Sequence, residues 1–140
     1  MRLVLDTNVL VAAQRSPSGA SARLLEGVRQ KRITPLISVA LFLEYEAVLT
    51  RPDHLIAAGI TDSDVSRALM AFASVSEAVD IWFALRPSAR DSDDDMVVEV
   101  AVNGRAEGLV TFETTVFHPA LRPFGVKVMT PSEACRMLAA

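Results

Sequence analysis

Cysteine is nearly missing: Cys135 is the only one in 140 residues. An internal disulfide is therefore excluded, and an intracellular setting is the natural expectation. Histidine is scarce too, and His54 and His118 lack the tight spacing of paired metal ligands; each reads as a surface or loop histidine. No apolar run approaches the ~20 residues of a membrane span. Asp6 interrupts the only N-terminal stretch that could serve as a secretory signal, so none is expected. There is no Gly-rich phosphate loop and no nucleophile elbow. Aromatics are only 6% of the chain; Trp82 and Phe83 lie in an apolar stretch and read as core, not as a platform for stacking bases. Internal repeats, low-complexity tracts and a domain linker are all absent, which predicts one domain over 1–140.

Positive charge is not in excess. The formal net charge is −3, so the whole-chain balance offers no basis for non-specific nucleic-acid binding. A local bias survives within 1–32, where Arg2, Arg15, Arg23, Arg29, Lys31 and Arg32 face only Asp6 and Glu26.

What is present is apolar residues, at 51% with mean hydropathy +0.31, enough for a packed core without a structural metal. They fall into short runs that alternate with helical patterns. Residues 2–5 predict a buried parallel strand, and SPSG at 16–19 a loop. ASARLLEGVRQKR then predicts a helix with Ala22, Leu24, Leu25 and Val28 on its apolar side. ITPLIS at 33–38 predicts a second strand, with Pro35 easiest to place at its start or at an irregularity.

Ser38 can cap a helix over 39–50 in which Leu41, Glu44, Tyr45 and Val48 share one side while Glu46 points elsewhere. Thr61 and Asp64 start another helix, packed through Leu69, Met70, Phe72 and Ala73. A short strand over 78–83 is expected before a break at Pro87–Ser88. DMVVEVAVNGRA has helical spacing at Val97, Val98, Ala101 and Val102, ending at Asn103–Gly104, although its valines also suit a strand. EGLVT at 107–111 and VKVMT at 126–130 predict strands. Thr130, Pro131 and Glu133 then start a last helix that carries Cys135 as a small core residue.

This alternation implies an α/β fold with a mostly parallel sheet covered on both faces, its ligands gathering beyond the carboxyl ends of the strands. Four acids can reach that edge. Asp6 follows the first strand, Glu44 lies two turns into the helix after the second, and Asp94 stands among Asp91, Asp93 and Asp95 at a helix start. Glu113 follows EGLVT by two residues. Brought close, such carboxylates raise one another's pKa, and a divalent cation offsets the repulsion. Mg²⁺ or Mn²⁺ suits oxygen ligands, and two such ions can activate water and stabilise a leaving oxygen in phosphodiester hydrolysis. Singly, each residue has a plainer reading: Asp6 as an Asx-turn, Asn8 as a cap, Glu44 as a flanking charge, RDSDDD as a solvated helix N-terminus, Glu113 as a surface acid.

The chain resembles the PIN-domain family, in particular the VapC-like toxin components of bacterial toxin–antitoxin pairs. The likeness rests on VLDTNVLVAA at 4–13, ISVALFLEYEAVLTRP at 37–52, RDSDDDMVVEVAVNGRAEGLVTFE at 90–113 and FGVKVMTPSEACRML at 124–138, in that order and spacing. It implies a PIN-like three-layer fold with a central, mostly parallel sheet of four or five strands. It also implies a metal-dependent endoribonuclease leaving 5′-phosphate and 3′-hydroxyl ends, an RNA substrate, a cognate antitoxin, a homodimer and a cytoplasmic location. Residue by residue, Asp6, Glu44 and Asp94 resemble the metal ligands, with Asp91 and Asp95 as rivals to Asp94; Thr7, Asn8 and Thr111 resemble supporting residues. The fourth position departs from the family pattern, which has aspartate or asparagine where this chain has Glu113. The longer side chain must approach a metal differently, directly or through water. Arg15, Arg23, Arg51 and Arg90 are candidates for phosphate contact or ordinary solvated charges. A non-catalytic or weakly catalytic module binding RNA or an antitoxin is the alternative reading, and a DNA or structured-RNA nuclease is a third.

Overall fold

A computed structural model describes residues 1–82 and 92–139. The order is β1 (Arg2–Leu5), α1 (Thr7–Arg15), α2 (Ala20–Arg29), β2 (Thr34–Ile37), α3 (Val39–Leu49), α4 (Pro52–Ala58), α5 (Asp62–Ser74) and β3 (Glu77–Ala78). Then come α6 (Ser92–Asn103), β4 (Gly108–Val110), α7 (Thr114–Leu121), a 3-10 turn at Arg122–Phe124, β5 (Lys127–Met129) and α8 (Pro131–Ala139). The strands form one five-stranded sheet in the order β3-β2-β1-β4-β5, every pairing among them parallel.

Leu3, Val4 and Leu5 are each fully buried. Successive strand residues point to opposite faces, so both faces of the central strand are covered. Leu109 and Val110 of β4 repeat this. The fold is α/β, with helices flanking the sheet as the alternation predicts. Pro35 fits for a local reason. Thr34 N–H donates to the carbonyl of Met1 at 2.7 Å, which turns the Pro35 nitrogen toward β3, and pairing with β3 starts only at Leu36. No ladder hydrogen bond is lost.

The helix starts follow from local chemistry. Ser38 Oγ accepts from Leu41 N–H at 3.1 Å to cap α3. Thr61 and Asp64 form a complete reciprocal capping box on α5. Thr61→Ala is expected to cost ~1 kcal/mol, read as a lower midpoint in chemical denaturation. Thr130 Oγ1 accepts from Glu133 N–H and donates to its carboxylate, starting α8 as expected.

Several expectations are corrected. The strand expected over 78–83 is only Glu77–Ala78 where described, and Trp82 is 81% exposed, not core. Its backbone N–H bonds to Asn103 Oδ1 instead of a strand partner. Phe83, the Pro87–Ser88 break, Arg90 and Asp91 lie outside the described residues. Met70 is exposed, since α5 turns Val65, Leu69 and Phe72 inward. His54 is buried in α4, not at the surface: Arg15 Nε donates to its Nδ1 at 3.1 Å, and its Nε2 meets Gln14 Oε1 at 2.7 Å. Burial and the neighbouring Arg15 both hold its pKa below the ordinary histidine value, against a weaker opposite pull from Asp53. Helices α1, α4 and α7 are additions to the expected elements, although Pro52 and Gly59 frame α4 as a start and a stop. Cys135 is half-buried, its thiol bonded to the carbonyl of Ala20.

Candidate metal and nucleic-acid site

The register of β1 against β4 pairs Leu5 with Val110, so the chain leaves both strands side by side at Asp6 and Thr111. Asp6 N–H continues the ladder to the carbonyl of Val110 at 2.9 Å. Its carboxylate then does two jobs. Oδ1 accepts from Thr7 N–H at 2.8 Å, capping α1, and Oδ2 accepts from Thr111 Oγ1 at 2.8 Å. Thr111, fully buried, accepts in turn from Glu113 N–H at 3.0 Å, which sets the backbone of the fourth acid.

Glu44 arrives by another route. Tyr45, also fully buried, donates its hydroxyl to the carbonyl of Leu5 at 2.5 Å and so pins α3 to the end of β1. Burial, with Asp6 nearby, raises the Tyr45 pKa far above the ordinary phenol value, so the hydroxyl stays protonated. The preceding residue, Glu44, thereby lines the same edge as Asp6. Asp94, from the first turn of α6, completes one open cavity of about 250 Å³ with Asp6, Thr7, Asn8, Glu44, Val48, Arg51 and Glu113. Of the rivals, Asp95 is buried and does not line it.

The wall is electrostatically unfavourable as it stands. Asp6 has a raised pKa, chiefly through burial and further through Glu113 and Glu44, while the bonds from Thr111 and Thr7 oppose the shift. Asn8 Oδ1 is buried with no hydrogen-bond partner. Arg51, which also lines the cavity, brings a positive charge to it. Half of the N-terminal basic bias is used elsewhere: Arg2 pairs with Glu77, Arg29 with Glu26, and Arg32 bonds to the carbonyl of Leu138.

The model of the PIN domain family matches residues 2–115. The chain belongs to the PIN domain family. Solved structures place this PIN domain among the same folds. VapBC2 from Rickettsia felis, bound to a DNA fragment from their promoter, aligns over 93% of this chain and 98% of that one, with TM-score 0.62 and 16% identity. FitAB bound to an IR36 DNA fragment aligns over 92% and 94%, with TM-score 0.60 and 17% identity. No curated protein sequence matches significantly.

The PIN domain's donor set suits a hard divalent cation in kind: carboxylate oxygens plus the unpartnered amide oxygen of Asn8. It is not drawn tight. Among the described residues, no three His, Cys, Asp or Glu side chains stand grouped to hold a metal ion. Glu99 is a further buried acid that sequence patterning does not single out; its place between Val98 and Val100, both fully buried, is the signal that marks it.

Proposed function

We propose that this PIN domain, one unit over 1–140, is a Mg²⁺- or Mn²⁺-dependent endoribonuclease and the toxin of a toxin–antitoxin pair. The observation that carries the reading is the cavity that draws Asp6, Glu44, Asp94 and Glu113 from four separate parts of the chain to one sheet edge. Asp6, Glu44 and Asp94 would hold the principal cation, with Glu113 assisting directly or through water. When bound, the cation supplies Lewis-acid chemistry at the phosphodiester and makes a water more acidic.

The chain's own residues set the conditions for that chemistry. Thr111 and the Thr7 N–H fix both Asp6 oxygens, so the carboxylate presents a preset face. Asn8 offers a further oxygen, and Arg51 offers a phosphate contact in the same cavity. VapBC2 and FitAB, two of the solved structures with a similar fold, are each bound to DNA; by extension, a cognate antitoxin protein is the proposed partner here. A homodimer in the cytoplasm is proposed with it. No helix among the described residues is long and apolar enough to cross a membrane.

A second reading has its own support. The absence of a tight three-acid group among the described residues favours a weakly catalytic module that binds RNA or an antitoxin. Incubating a pool of single-stranded and structured RNAs with EDTA, Mg²⁺ or Mn²⁺ separates the two. The nuclease reading expects cuts only with the cation, ending in 5′-phosphate and 3′-hydroxyl. RNA binding without cation-dependent cuts leaves the module.

A further inference from the structure

We propose that the open edge of β5 is a docking site for an extended, acidic peptide segment of a protein partner, which joins the sheet as a sixth strand. The site lies apart from the acidic cavity and does not depend on the nuclease reading. Lys127 N–H donates to the carbonyl of Glu107 at 3.3 Å, and the carbonyl of Met129 accepts from Thr111 N–H at 2.9 Å. Backbone groups alternate sides along a parallel strand, so the N–H and C=O of Val128 face away from β4. Among the described residues β5 ends the sheet, with no strand beyond it in the order. Those two groups are a template for one more strand.

Beside this edge is a cleft of about 410 Å³ lined by His118, Arg122, Lys127, Val128, Met129 and Met137, among others. Its composition selects the occupant. Exposed Met137 provides an apolar wall above the largely buried Val128 and Met129, and Met adapts to varied shapes. Arg122 and Lys127 are exposed on a chain whose net charge is −3, and the one acid in the lining, Glu133, accepts from the Thr130 hydroxyl. A strand carrying carboxylates between apolar residues satisfies the backbone, the wall and the cations together. An RNA strand would meet the cations but would leave the directional Val128 groups and the methionine wall unused.

The test is panning of displayed random octapeptides on the full chain, with counter-selection on an Arg122→Glu/Lys127→Glu double variant. Both residues are exposed and outside the acidic cavity, so the variant should melt like the parent, which circular dichroism checks. Enriched peptides should alternate Asp or Glu with apolar residues, bind the double variant roughly 10-fold or more weakly, and shift the Val128 amide resonance. N-methylation at alternate peptide amides should abolish binding. Failure to enrich, enrichment without acidic bias, or binding that leaves Val128 unshifted overturns the proposal. A fluorescent oligouridylate runs in parallel. If it shifts Val128 and loses binding in the double variant while no peptide is enriched, the edge is a nucleic-acid surface and the peptide proposal fails.

Discussion

Asp6→Asn is expected to lower cation-dependent RNA cleavage by ~100-fold or more, beyond the ~10–100-fold typical of losing a residue that only supports a metal ligand. The substitution keeps the size and leaves an acceptor for Thr7 N–H, so the α1 cap survives. It removes the charge that the cavity would present to a cation. Stability should move the other way. A carboxyl whose folded-state pKa is raised binds its proton more tightly when folded, so its ionisation costs stability at every pH above the raised value. That cost fades as pH falls through the raised value and is gone below the ordinary aspartate value. The variant should therefore melt above the parent at neutral pH without divalent cations, and the gap should close on acidification. Adding Mn²⁺ should raise the melting point of the parent alone. Thermal melts across pH, with EDTA and with Mn²⁺, give all three comparisons. Equal cleavage by parent and variant would sink the role assigned to Asp6.

Thr111→Val should reduce cleavage by ~10–100-fold although its side chain need not touch RNA or metal. The fully buried hydroxyl is shared between Asp6 Oδ2 and Glu113 N–H. Replacing it with a methyl leaves both polar groups short of a partner inside the protein, at a stability cost of ~1–3 kcal/mol. Loss of activity alone would not separate positioning from folding, but the pH profile does. The hydrogen bond from Thr111 holds the Asp6 pKa down against burial. Without it the pKa rises further, and the acid limb of the activity profile should move to higher pH. Thr111→Ser, which restores the hydroxyl, should recover most of the activity and return that limb. A profile unchanged in the valine variant would show that Thr111 does not tune Asp6.

The legible parts share one property: their signal is short in range. Period and capping announce α2, α3, α5, α6 and α8, and the apolar runs announce four strands. The missing helices are those whose local signal is mixed. α1 begins at Thr7 directly after a strand and carries valines at 9 and 11, so its first turn reads as more strand or loop; its cap is Asp6, a residue also marked for chemistry. α7 contains Pro119, and α4 is only seven residues long. Trp82 misleads for the opposite reason: a hydrophobic side chain suggests burial, but only the packing decides whether a partner surface exists for it.

By itself the sequence determined the α/β alternation and the placing of Asp6, Glu44 and Glu113 after or beside the carboxyl ends of strands, because each depends on residues a few positions apart; the family likeness came from the order and spacing of such short motifs along the chain. The tertiary structure alone decided what those acids share. It chose Asp94 over Asp95 for the cavity wall, since adjacent helical residues face different directions and only the docking of α6 selects one. It joined Asp6 to Thr111 through the register of β1 on β4, and Glu44 to the same edge through the Tyr45 hydroxyl on Leu5. It also buried His54 against Gln14 and Arg15 and, among the described residues, set β5 at the end of the sheet. These are long-range relations. They depend on which surfaces meet when the sheet closes its core, and no window of the sequence contains both partners.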